Sequence, residues 1–267
     1  MQKAIGIFDS GIGGLTVLKE IVATLPDENI IYLGDTARVP YGIRSAETVT
    51  RYSFENTQFL LSQEIKLLVV ACNTASAISL EAVKKEYPLP VIGVLEPGAR
   101  AAAAATRTRK VGVIGTEATI GSGAYEKAIR KIAPDVEVVS LACPLFVPLA
   151  EEGWTDNDVA QLVAEKYLSP LRGSGIDTLV LGCTHYPLLK PVIGGAVGPG
   201  ITLIDSATET AREVAGVLEK LKWQGNGKGG SVRRFFVTDT PARFEKIGKR
   251  FLGEPLLRAE QVRIGGA

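Results

Sequence analysis

Short apolar runs alternate with amphipathic stretches along most of this chain, a rhythm that few folds accommodate. Ala4–Phe8, Asn29–Leu33, Leu67–Ala71 and Val91–Val94 read as buried strands rich in Ile and Val. Lys110–Ile114, Val136–Ser140, Thr178–Leu181 and Thr202–Ile204 continue the series. Between them the apolar spacing turns helical: Leu15, Leu18, Val22 and Leu25 mark a helix over Leu15–Leu25, and Ser45–Leu61 gives another. Ser206-Ala207-Thr208-Glu209 has capping-box spacing before the periodic run Val214, Val217, Leu218, Leu221. Strands alternating with helices predict an α/β fold with parallel sheets, whose ligands sit beyond the carboxyl ends of the strands.

The chain also repeats itself. Gly6-Ile7-Phe8-Asp9-Ser10-Gly11 has a counterpart in Gly112-Val113-Ile114-Gly115-Thr116, and Leu68–Thr74 has one in Leu179–His185. From Asp9 to Cys72 is 63 positions and from Thr116 to Cys183 is 67. The prediction is two pseudo-symmetric parallel-sheet α/β domains with the active site in the cleft between them. Glu96-Pro97-Gly98, before the alanine-rich Ala99–Ala105, marks a boundary. The division is residues 1–97 plus 207–267 for one domain and 98–206 for the other. Gln224–Gly230 reads as a flexible loop or linker.

With 267 residues, 46% hydrophobic and 22% charged, the composition is that of a globular protein. Thirty Lys and Arg against 29 Asp and Glu leave a net charge of +1, which gives no argument for nucleic acid or a membrane surface. The stretch from Lys222 to Arg263 is more basic, but its charges are spread among apolar residues and read as a solvated face rather than a binding patch. No run approaches the roughly 18 apolar residues of a membrane span. The N-terminus reads as the first strand of a cytoplasmic protein. Three cysteines, an odd number, point to reduced thiols. With one histidine, no Cys-x-x-Cys and no His-x-x-x-His, a dedicated zinc site is not expected.

Cys143, among apolar neighbours in Ala142-Cys143-Pro144-Leu145-Phe146, reads as a small core residue. Cys72 and Cys183 differ, because each ends a strand and is followed at once by polar residues, Asn73-Thr74 and Thr184-His185. At a strand-to-helix turn, backbone N–H groups and the helix dipole favour an anion and lower a thiol below its usual ~8.5. The same groups can hold a substrate carboxylate. Two thiols across one cleft suit racemisation: one takes the α-proton, the other returns a proton to the opposite face. The glycine-rich turn Asp9–Gly14 has Thr16 where G-x-G-x-x-G needs its last glycine, and no GK[ST] follows. It is better read as a nest for a small carboxylate or amine. Asp9 is a cleft residue or simply a cap. His185 is either a proton-handling group or a satisfied core histidine. No lysine stands in a recognisable Schiff-base context.

Four segments, taken together, resemble the glutamate racemases of the aspartate/glutamate racemase superfamily: Phe8–Thr16, Gly34–Gly42, Ala71–Ala77 and Gly182–Leu188. The resemblance runs in order over nearly the whole chain. It implies a cofactor-independent isomerase that interconverts L- and D-glutamate, feeds peptidoglycan synthesis in the cytoplasm and forms a homodimer. Carried over by motif, Cys72 and Cys183 are the acid/base pair, with Asp9 supporting the first and His185 the second. Ser10, Asn73, Thr74 and Thr184 line the substrate site, which Pro40, Tyr41 and Gly42 close. Thr116 and Thr119 are second-domain hydroxyls at the cleft, and Asp35 and Glu151 are acidic positions near it. An aspartate or hydantoin racemase would share the thiols, and a non-catalytic amino-acid-binding protein of the same fold is the alternative from another class.

Overall fold

The computed structural model describes residues 3–225, 230–253 and 258–265, and within them the strands form two separate parallel sheets. In chain order the strands are β1 (Ala4–Asp9), β2 (Ile30–Gly34), β3 (Ile65–Val70), β4 (Val91–Gly93) and β5 (Lys110–Gly115). They continue as β6 (Glu137–Ala142), β7 (Thr178–Gly182), β8 (Thr202–Asp205), β9 (Arg233–Val237) and β10 (Ala259–Gln261). The larger sheet runs β10-β9-β2-β1-β3-β4 and the smaller β6-β5-β7-β8. The smaller order repeats the β2-β1-β3-β4 part of the larger, so β1 corresponds to β5 and β3 to β7. This is the internal repeat seen in the sequence. It brings Cys72, two residues past β3, and Cys183, directly after β7, to equivalent strand ends.

Each sheet is covered on both faces, as parallel sheets require. On one face of the larger sheet, Ile5, Ile7, Leu67 and Val69 pack with Leu15, Leu18, Ala211, Val214 and Phe244 from helices Leu15–Thr24, Ser206–Leu221 and Pro241–Leu252. Phe8, Leu68 and Val70 cover the other face with Val49 and Leu60 of helix Ala46–Ser62. Ser45 caps that helix by accepting from Thr48 N–H at 3.3 Å, a contribution of about 1 kcal/mol. The smaller sheet has its own two cores, one of which encloses Cys143 with Phe146 and Tyr186.

All eight sequence-read strands form within one or two residues of their predicted ends. β9 and β10 escaped the reading because they lie in the basic C-terminal stretch. In β9 the arginines stand at the start of the strand, while Phe235 and Phe236 enter the cores on opposite faces of the sheet. Helix Pro241–Leu252 likewise buries Phe244, Ile247 and Phe251 and leaves its basic residues outward. Residues 226–229 of the predicted linker lie outside the described residues.

The chain crosses between sheets through helix Leu95–Ala105 and returns through helix Ser206–Leu221. Pro97 and Gly98 lie inside the first turn of the outgoing helix, where proline costs no hydrogen bond. The returning helix is capped by Asp205, which accepts from Ala207 N–H at 3.0 Å, and not by Ser206 as the capping-box spacing implied. No described helix is long and apolar enough to cross a membrane.

Candidate active site

The seam between the two sheets gathers polar groups that the remainder of each core excludes. Its first wall is the turn after β1. Gly11 N–H donates to Asp9 Oδ2 at 2.8 Å, and the amides of Gly14 and Ser10 also face that carboxylate. The nest predicted for a ligand is thus turned inward on Asp9. Burial nevertheless raises the Asp9 carboxyl above its usual range, with His185 and the three amides pulling the other way. Asp9 Oδ1 has no hydrogen-bond partner among the described residues. Glycine is required at position 13, where a Cβ would overlap Thr184 Oγ1 and stand 2.5 Å from His185 Nδ1. Thr16 Oγ1 ties the two halves by donating to Thr184 O at 3.0 Å.

Cys72 is the residue before helix Asn73–Ile78, so the predicted strand-to-helix turn forms. Its thiol is nevertheless not lowered. Burial pushes it up to about 12, with Asp9 adding to the rise and the Ala75 N–H and Ser10 hydroxyl opposing it. Negative charge on Cys183 raises it further, so the two sulfurs lie within electrostatic reach of each other. A six-residue helix offers too little dipole to outweigh a fully desolvated sulfur.

Around Cys183 the arrangement is different. Its Sγ lies 3.8 Å from His185 Nδ1, and His185 Nε2 lies 3.2 Å from Glu151 Oε1. Burial alone would favour neutral imidazole, but hydrogen bonds and charge from Cys183 and Glu151 outweigh it and raise His185 to about 10. Glu151, despite its own partial burial, is held below the usual carboxylate range by His185 and Arg243. The edge of Phe251 packs against the imidazole, ring centres 5.3 Å apart.

Three hydroxyls close the seam from both sides: Thr74 Oγ1 lies 3.0 Å from Thr116 and 3.1 Å from Thr119, which are 3.0 Å from each other. The Tyr41–Ile43 turn, after the cis Val39–Pro40 bond, reaches the second half at Gly42. A Cβ there would stand 2.6 Å from Thr116 Cβ. A cavity of about 260 Å³ opens on the side of helix Pro241–Leu252, lined in part by Gly11, Val39, Glu151 and Arg243.

A family model for Asp/Glu/Hydantoin racemases matches residues 5–214. The chain belongs to that family. It is an enzyme of the isomerase class, a racemase. It is 61% identical to a glutamate racemase of Geobacter metallireducens, over 98% of this chain and 97% of that one. A glutamate racemase of Enterococcus faecalis is 49% identical over 99% and 97%. Among solved structures, a glutamate racemase isoform from Bacillus anthracis superposes with a TM-score of 0.94 at 43% identity, covering 98% and 97%. The Francisella tularensis glutamate racemase in complex with D-glutamate gives 0.92 at 40%, covering 98% of each chain.

Of the residues singled out in the sequence, Asp9, Ser10, Cys72, Asn73, Thr74, Thr116, Thr119, Glu151, Cys183, Thr184, His185 and Gly42 meet at this seam. Tyr41 and Asp35 stand one layer behind it. Tyr41 donates its hydroxyl to Asp35 Oδ2, which also accepts from Arg38 Nε at 2.7 Å, while Asp35 Oδ1 accepts from Thr238 at 3.0 Å. Both Asp35 oxygens are therefore engaged within their own half. Pro40 is exposed at the rim. Sequence reasoning missed Thr16, Arg243 and Tyr125. Thr16 sat in the first helix of a recognised motif, so its hydroxyl was a usable signal. Arg243 and Tyr125 lie in ordinary amphipathic helices with none.

Proposed function

We propose that the protein interconverts L- and D-glutamate without a cofactor, by moving the α-proton between Cys72 and Cys183. The observation that carries this reading is the pair of thiols at equivalent strand ends, within electrostatic reach across the seam between the halves. Relatives named glutamate racemase, 47–61% identical over nearly the full chain, support glutamate over other amino acids.

One thiolate takes the α-proton: the Cα–H bond breaks, an S–H bond forms and the electron pair is left on the substrate. The opposite thiol then gives its proton to the other face of the same carbon. The pair ends with charge and proton exchanged, ready for the reverse direction. Asp9 Oδ1, buried and without a partner, suits the substrate ammonium, and Asn73 Nδ2, also buried and unpartnered, suits a carboxylate. The Thr74, Thr116 and Thr119 hydroxyls are donors for the negative charge that grows as the proton leaves. His185 handles the proton at Cys183, held by Glu151, while Asp9 supports Cys72 from beside it, its negative charge favouring the protonated thiol. A homodimer in the cytoplasm supplying D-glutamate for peptidoglycan completes the proposal.

In deuterated water, either enantiomer should yield product carrying deuterium at the α-position. Cys72→Ala and Cys183→Ala should each lose racemisation by at least about a hundredfold. Full activity in either variant overturns the two-thiol mechanism. A panel of amino acids with chiral readout tests the substrate, and a strong preference for aspartate overturns glutamate. Calorimetric binding without turnover would support the binding-protein alternative.

A further inference from the structure

Asn73 presents a problem of orientation. A side-chain amide offers an acceptor on one end and donors on the other, and half a turn about its last bond exchanges them. Toward a carboxylate only the donor end is useful, since the oxygen end would repel it. Helix Asn73–Ile78 fixes where Asn73 stands but not which way its amide faces.

The second half of the molecule supplies what is missing. Tyr125, on helix Ala124–Ile132, is fully buried, and its hydroxyl donates to Asn73 Oδ1 at 2.6 Å. Ser206, at the start of the helix that returns to the first half, stands close by, and its hydroxyl opposes the rise that burial imposes on the Tyr125 phenol. The Tyr125 proton is thus committed to Asn73 Oδ1. Nδ2 is left buried with no partner among the described residues. The ring is seated by absent side chains: a Cβ at Gly182 would stand 3.1 Å from Tyr125 Cε2, and one at Gly98 would stand 3.4 Å from its hydroxyl. Gly98 and Ser206 lie on the two connections between the halves, so the hydroxyl sits where the halves join.

We propose that Tyr125 is a positioning residue for racemisation: its hydroxyl holds the Asn73 amide with Nδ2 toward the substrate carboxylate. It touches no reacting atom and acts through Asn73 alone. The inference rests on the reading of Asn73 as a carboxylate donor in a glutamate racemase.

Four proteins test it, each assayed in both directions with L- and D-glutamate: wild type, Tyr125→Phe, Asn73→Ala and the double variant. Tyr125→Phe keeps the ring against Gly182 and removes one oxygen. KM should rise about tenfold for both enantiomers, the scale of one lost hydrogen bond, with kcat changing less. Because Tyr125 acts through Asn73, adding Tyr125→Phe to Asn73→Ala should raise KM by less than about twofold more. Fully multiplicative effects, or an unchanged KM in Tyr125→Phe while Asn73→Ala raises it, overturn the positioning role and leave the function standing. An unchanged KM in Asn73→Ala instead removes the carboxylate reading, and the inference falls with it. Should Tyr125→Phe fail to fold, Tyr125→Met carries the test, since it fills the space of the ring without a donor. A threefold or larger rise in KM is then expected, and none overturns the proposal.

Discussion

At the scale of single residues the two thiols stand in unequal surroundings. Cys72 is pushed up to about 12 by burial and by Asp9, so at neutral pH it holds its proton. Cys183 faces an imidazole raised to about 10, chiefly because Cys183 and Glu151 outweigh the cost of burying it. The folded protein therefore binds the His185 proton more tightly than the unfolded chain, whose histidine titrates near 6.5. That preference stabilises the fold fully below pH 6.5 and fades as pH rises toward 10. Glu151→Gln removes the anion at Nε2 and lowers the imidazole toward its ordinary value. Wild type should exceed Glu151→Gln in Tm most at pH 6.5 and just below, where Glu151 is still ionised, and the gap should close as pH approaches 10. Thermal melts across that range check this, and a gap independent of pH would show that the Glu151 contact acts without the proton.

Among elements, the Tyr41–Ile43 turn is held from both sides. Behind it, Arg38 bonds Asp35 and Glu55, lies 4.1 Å over the Tyr52 ring and reaches Asn56 at 3.1 Å. Asn56 in turn donates to the Tyr41 hydroxyl at 3.0 Å. In front, Gly42 meets Thr116 with no room for a methyl group. Gly42→Ala leaves the turn's own hydrogen bonds intact but keeps the halves from closing. KM for glutamate should rise about tenfold or more while Tm moves by less than about 4 °C. Enzyme assay and melting separate these outcomes, and a large fall in Tm with KM unchanged would mean the glycine serves folding alone. Such a contact was not legible in the sequence. Gly42 appeared in a recognisable motif, but its partner lies 74 positions away in the other half. What was legible was local or periodic: the strands, the repeat and the thiols at their ends. β9 was hidden because a strand that begins with two arginines reads as surface until its partner strand is known. The inward turn of the Asp9 nest and the rise of the Cys72 thiol were hidden too, since burial depends on the whole fold.

For the molecule as a whole the decisive quantity is how far the two halves favour contact before substrate arrives. Each sheet has its own cores, so the links between the halves are largely separate from the packing that holds each half together. Besides the buried contacts at Thr16, Thr74, Tyr125 and Gly42, exposed charges join the halves: Arg100 pairs with Glu213 between the two connecting helices, and a second set lies beside the site. Arg243 on helix Pro241–Leu252 lies 3.4 Å from Glu151, and Arg250 on the same helix donates to the Glu151 carbonyl. Exposed charge pairs contribute little to folding, on the order of 0–1 kcal/mol. Yet the same energy has leverage on closure, because apparent affinity scales with the fraction of molecules in the competent state. A loss of about 1 kcal/mol from the closed state alone amounts to roughly fivefold in KM. Arg243→Ala combined with Arg250→Ala should therefore raise KM two- to fivefold on that scale and leave Tm within about 4 °C of wild type. Salt adds a second readout. Screening weakens exposed pairs, so KM of wild type should climb with ionic strength while that of the double variant climbs less. If the two salt dependences run parallel, these two arginines do not hold the halves together, and closure rests on the buried contacts around Thr16, Thr74, Tyr125 and Gly42.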